Sequence, residues 1–128
     1  MMRNCVSIDI EAALQEHLAA SGYNACALPV PQELKAGCVI VHRVGGYSQS
    51  YVQDVSSVAI DAYGETKVEA MQLACKLTGE VRAVVGKLGG VAVYAADVTT
   101  LPYDNPDPAH YSLERATLQA QVITRVAH

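Results

Sequence analysis

The order of local signals in this chain predicts an α+β two-layer sandwich. Its sheet is mostly antiparallel, of four to five strands, with two helices packed on one face. Three observations lead there. Helical apolar stripes occur twice, once near the start and once in the middle. The segments between and after them are β-branched and bounded by glycines, or alternate with period two. The order is helix, two or three strands, helix, two strands, and such a sheet needs both helices on the same face. At 128 residues the chain reads as one domain, 1–128. By area scaling it buries roughly two-thirds of its unfolded surface, enough for a core without staples or metal.

Ser7 or Asp9 opens the first helix, whose apolar positions Ile10, Ala13, Leu14 and Leu18 form a stripe, and Gly22 stops it. Ala25–Leu28 meets Pro29 and Pro31, so it reads as an edge strand or extended entry. Gly37–Val44 and Val55–Tyr63 read as strands. In the second, Val58, Ile60 and Ala62 face one way, and Ser57, Ala59, Asp61 and Tyr63 the other. Between them Gly45-Gly46-Tyr47-Ser48-Gln49-Ser50-Tyr51 is polar and aromatic and too long for a tight turn, which predicts an extended flap.

Thr66-Lys67-Val68-Glu69 is a capping box, the clearest local signal in the chain. The helix it opens is expected to run through Ala70, Ala74, Leu77, Val81, Val84 and Leu88 and to end at Gly89-Gly90. Val91–Thr99 follows as a strand, and the proline-rich Leu101–Ala109 as an exposed loop. In Tyr111–Val126, Ala116, Leu118, Ala120, Val122 and Val126 share one face of a strand, and Arg115, Thr117, Gln119, Gln121 and Arg125 the other.

Composition excludes several classes. Nine Lys and Arg against 13 Asp and Glu give a net charge of −4, without a basic cluster, so no nucleic-acid footprint exists. The longest apolar runs, such as Val91–Ala96, are far short of a membrane span. Acidic Asp9, Glu11 and Glu16 stand where a signal peptide would be apolar, and a cytosolic product is expected. Cys5, Cys26, Cys38 and Cys75 make no CxxC pair and no zinc spacing; Cys38 and Cys75 read as small buried hydrophobes. Charged residues are only 17%, and mean hydropathy is +0.16, which hints at apolar surface kept for a partner.

No enzyme signature emerges. Gly45-Gly46 precedes a strand rather than opening a helix, so it lacks the dipole of a phosphate loop. Gly86-Lys87-Leu88 lacks the spacing and the Ser or Thr of a Walker motif. Cys38 and His42, four apart on a strand, are separated by roughly 13 Å, so His42 is expected to pair with a cross-strand carboxylate or face solvent. His17 reads as a core-edge histidine on the first helix, His110 as a strand entry and His128 as a frayed end. Lys76 and Glu80 read as an i,i+4 pair on a solvated helix face. Asp104-Asn105-Pro106-Asp107 lacks the periodicity of a calcium loop. No catalytic residue, metal site or cofactor is expected.

Two surfaces lean towards assembly: the Tyr47–Tyr51 flap, and the amide-rich face of the last strand flanked by Arg115 and Arg125. With Gly37-Cys-Val-Ile-Val-His-Arg-Val-Gly-Gly-Tyr-Ser-Gln-Ser50, the paired strand Val55–Tyr63, the capped helix from Thr66 to Ala74, the Pro/Asp-rich loop and the strand Tyr111–Arg125, the chain resembles the tail terminator, or tail completion, proteins of long-tailed phages and prophages, some labelled minor capsid proteins. The resemblance spans Ile8 to Arg125. It implies a virion protein that caps the tail tube, ends its polymerisation and forms a six-fold ring for the head connector. Its implied partners are other copies of itself, the tail tube protein and the connector or stopper protein, and it would assemble in the host cytoplasm. Position assigns the interface to Arg43, Gly45, Gly46, Tyr47, Gln49 and Tyr51 of the flap and to Arg115, Gln119, Gln121 and Arg125 of the last strand. Gly46→Val is accordingly expected to disturb assembly more than the isolated fold. The alternatives are a head-closure or connector protein of the same machine, and a small-ligand or enzymatic module using His42 and Asp61.

Overall fold

In the computed structural model, which describes residues 6–26, 34–50, 52–110 and 112–126, the elements are α1 (Ile10–Ala20), β1 (Asn24–Cys26), β2 (Cys38–Ser48), β3 (Gln53–Gly64), α2 (Lys67–Arg82), β4 (Gly86–Leu88), β5 (Val91–Asp104), a 3-10 turn (Pro108–His110) and β6 (Glu114–Arg125). The strands form one curled sheet in the order β1-β2-β3-β6-β5-β4. Among the described strands only the β1–β2 pair is parallel. Both helices contribute to one core, so the α+β expectation holds, with six strands curled into a half-barrel rather than a sandwich sheet of four to five. None of the described helices is long and apolar enough to cross a membrane.

The helices follow their sequence signals at their starts. The Asp9 carboxylate accepts the Ala12 amide, and Ile10, Ala13, Leu14 and Leu18 are buried. The Thr66 hydroxyl accepts the Glu69 amide at 3.1 Å, while the Glu69 carboxylate accepts the Glu65 amide rather than that of Thr66. Ala70, Ala74, Leu77 and Val81 then pack against the sheet. Their partners are Val58, Ile60 and Ala62 of β3 and Ala116, Leu118, Ala120 and Val122 of β6, the alternating faces read from the sequence.

Four expectations are corrected. First, α2 stops at Arg82, and Gly86–Leu88 is a strand that turns into β5 through Gly89-Gly90, both at positive φ (+56° and +81°), as a two-residue hairpin turn requires. The helical spacing had continued because Val84 and Leu88 are also buried, one in the turn and one in the strand. Second, β5 runs on to Asp104 through Pro102. It does so with register shifts at Val93/Ala95, Val98/Thr100 and Thr100/Tyr103, bulges that accommodate a proline in a strand. The loop shrinks to the segment between Asp104 and Glu114.

Third, the flap is mostly strand. β2 and β3 stay paired to Ser48 and Asp54, with a bulge between Arg43 and Gly45, and the Gln49 and Ser50 amides close the hairpin on the Gln53 carbonyl. The pairing is possible because Gly46 lies against β3, where a Cβ would stand 2.3 Å from the Val55 carbonyl oxygen. Fourth, Cys75 is exposed while Cys38 is buried, because Cys75 sits one residue past Ala74 and off the buried stripe. Cys5, Pro29, Pro31, Tyr51, Tyr111 and His128 lie outside the described residues.

Candidate functional site

The alternation of β3 puts Asp61 and Tyr63 on the sheet face away from the helices, opposite Thr117 and Arg115 of β6. His42 comes to the same face from β2, in register with Ala59. These positions build a continuous polar network. His42 Nε2 meets Asp61 Oδ2 at 2.8 Å, and the Thr117 hydroxyl donates to Asp61 Oδ1 at 2.7 Å. Asn105 Nδ2 donates to the Thr117 hydroxyl at 3.0 Å. Arg115 Nε donates to the Asn105 carbonyl at 2.7 Å and Nη2 to the Pro106 carbonyl at 3.3 Å, while Nη1 stands 3.6 Å from Asp107 and 3.9 Å from Asp61. The Tyr63 hydroxyl donates to Asp107 Oδ2 at 2.8 Å, and His110 Nδ1 lies 3.0 Å from the same oxygen.

Burial makes these bonds count. The Asp61 side chain is 8% exposed and that of His42 31%. The hydrogen bond to Asp61 raises the His42 pKa above its ordinary value against the opposing effect of burial. Burial also opposes ionisation of Asp107. Hydrogen bonds from His110, Tyr63 and the Ala109 amide, with the Arg115 charge, outweigh that and hold the carboxyl below its ordinary value. Arg115 is itself held more firmly protonated, because Tyr63, Asp61 and Asp107 outweigh its burial.

Burial, and then the bond to Asp107, push the Tyr63 phenol up to about 12 from 10.0. A value raised in the folded state favours the neutral phenol. Its contribution is therefore complete below about pH 10 and lost as pH rises through about 12. Alkaline titration followed by tyrosinate absorbance is expected to show a late phase that coincides with loss of stability. Tyr63→Phe is expected to abolish it; a late phase that survives in Tyr63→Phe would refute the assignment.

Both Asp61 oxygens are engaged within the chain, and Thr117 is buried. Cys38 packs with Ile40 and Tyr63, and its sulfur accepts from Asn24 Nδ2 at 3.7 Å. Among the described residues, no three His, Cys, Asp or Glu side chains gather as metal ligands do. His42 does meet a cross-strand carboxylate, one of the two arrangements expected of it. The Tyr63–Asp107–His110 branch was not expected. Its signal was Asp107-Pro108, where the Asp107 side chain accepts the Ala109 amide in a local turn.

The proposed interface residues separate into three groups. Gly45, Gly46, Tyr47 and Gln49 are exposed on the β2–β3 hairpin, Tyr47 at 61%. Arg43 is exposed too, and its guanidinium reaches the Gly45 carbonyl and the Ser56 hydroxyl, each at 3.4 Å, bracing the bulge from within its own chain. Gln119 and Gln121 are half-buried on an inner strand, beside Thr100 and Asp97 of β5, so this strand is not an edge open to a neighbour. Arg125 is exposed at the end of β6, whereas Arg115 is committed to the loop that it holds down. His17 stands 3.5 Å from Glu80, which turns to α1 instead of forming an i,i+4 pair with Lys76.

No protein-family model matches the chain, and no curated protein does. Among solved structures it is similar to a chain described as "Virion of native gene transfer agent (GTA) particle". The TM-score is 0.65 at 14% identity, over 91% of this chain and 94% of that one, a likeness that extends to the whole fold.

Proposed function

We propose that this chain is a structural subunit of a phage-like particle. In it the protein caps the tail tube, ends its polymerisation and joins the tail to the head connector as a homo-oligomeric ring. The observation that carries the reading is the fold match, which spans nearly all of both chains and whose counterpart belongs to a gene transfer agent virion. The local chemistry supports it. The polar groups on the helix-free face are spent on one another, which suits a part built for contact rather than turnover. Copies of the chain, the tail tube protein and the connector or stopper protein are its partners; it acts without a cofactor.

The test is to induce particles with and without the chain and examine them by antibody-labelled electron microscopy. Label at the head–tail junction is expected, with overlong tubes and unjoined heads when the chain is missing. Tubes of normal length with unjoined heads would move the protein to head closure. Particles that form normally without it, and carry no label, would overturn the virion reading.

A further inference from the structure

Helix α2 has a second apolar stripe besides the one it buries. Val68, Met71 and Cys75 follow one another at i, i+3 and i+7 and, with Lys67, Gln72, Lys76 and Asp104, line an open groove of about 610 Å³. Val68 is 65% exposed and Cys75 is exposed. The Lys67–Asp104 ion pair, at 3.5 Å, neutralises one end of the groove. The lining between the lysines is uncharged, and apolar apart from the Gln72 amide, which selects an uncharged occupant with exposed apolar side chains.

The chain carries such a segment. From Val44 to Gln53 there is no charged residue, and Val44, Tyr47 and Val52 are exposed on this hairpin. The hairpin cannot fill its own chain's groove, because α2 packs on β3, β5 and β6 at the body of the sheet while Tyr47 lies on β2 beyond the bulge. An uncharged hairpin that exposes Val44, Tyr47 and Val52 and a separate groove on the same chain make a head-to-tail contact, the kind that closes into a ring.

We propose that the Val44–Val52 hairpin of one copy seats in the Val68–Met71–Cys75 groove of the next. This deepens the ring reading above and rests on it.

The experiment uses the full chain and its own exposed thiol. Tyr47→Cys is expected to cross-link to Cys75 of a neighbour under mild oxidation, giving a ladder of covalent oligomers that Cys75→Ser abolishes. Val68→Glu is expected to raise the concentration at which the chain assembles by at least about tenfold, with an unchanged melting temperature. The melt should hold because the site is exposed and an acidic side chain suits the first turn of a helix. Assembly in which Tyr47→Cys makes no link to Cys75, and Val68→Glu assembles as wild type, would overturn the seating and leave the ring standing. A chain that sediments as a monomer at its highest soluble concentration would overturn the self-contact, whereas label at the head–tail junction would still uphold the virion role.

Discussion

Asp61→Ala is expected to lower stability by about 3 kcal/mol, which corresponds to a fall in Tm on the order of 10 °C. The carboxylate is buried and accepts from His42 at 2.8 Å and Thr117 at 2.7 Å, with Arg115 at 3.9 Å. Removing it leaves a buried hydroxyl and a partly buried imidazole without their acceptor, and stranded polar groups cost more than a well-made bond contributes. The lower end of the range for broken buried pairs applies because His42 is 31% exposed and water can reach it.

Asp61→Asn separates charge from hydrogen bonding, since the amide oxygen can still accept from Thr117. Because Asp61 raises the His42 pKa, the pair's contribution is fully present below the ordinary histidine value of 6.5 and fades as pH rises through the raised one. The gap between wild type and Asp61→Asn should therefore be widest on the acidic side of that window and narrow across it. Thermal melts at a series of pH values measure this. An Asp61→Ala melt within a degree or two of wild type would show that the network holds nothing. An active-site reading of the same residues predicts a small change in Tm instead.

The contrast between what could and could not be read from sequence follows from the range of each interaction. Asp9, Thr66 and Glu69 act on amides within four residues, and the stripes Ile10–Leu18 and Ala116–Val122 depend only on local period, so both were legible. The end of α2 was not, because Val84 and Leu88 are buried for tertiary reasons that mimic a helical repeat. Nor was the length of β5, since Pro102 stops a regular strand but not a bulged one.

The polar network needed contacts as distant in sequence as Asp61 to Thr117 and Tyr63 to Asp107, and only the pairing of β3 with β6 brings those together. Arg115 shows the consequence. Its place in the strand suggests an interface, and the structure adds bonds from its guanidinium to the Asn105 and Pro106 carbonyls of the loop, which periodicity does not show. The α2 groove was hidden for a different reason: its stripe is apolar but short and lies beside the buried one, so periodicity alone merged Cys75 into the core.

Gly46→Val is expected to cost about 3 kcal/mol or more, and to act on the fold itself. A Cβ at this position would lie 2.3 Å from the Val55 carbonyl oxygen and 3.1 Å from Ser56 Cα, and both are backbone of an inner strand with β6 on its other side. The φ of +136° adds strain that a β-branched side chain cannot relieve. The hairpin would have to part from β3 or shift register, which would also disturb buried Val55 and Ser56. The sequence-based expectation that this substitution disturbs assembly more than the isolated fold is therefore reversed. Gly45 is the useful comparison, because its φ is also positive (+158°) but a Cβ there meets nothing within 4 Å. Gly45→Val should melt closer to wild type than Gly46→Val, and the difference in Tm between the two variants reflects how closely β2 is held against β3 at Gly46. Equal melting temperatures for Gly46→Val and wild type would mean that the hairpin separates freely from the sheet. The bond from the Val126 amide to the Val52 carbonyl, at 2.8 Å, argues against that, since it ties the tip of the hairpin to the end of β6.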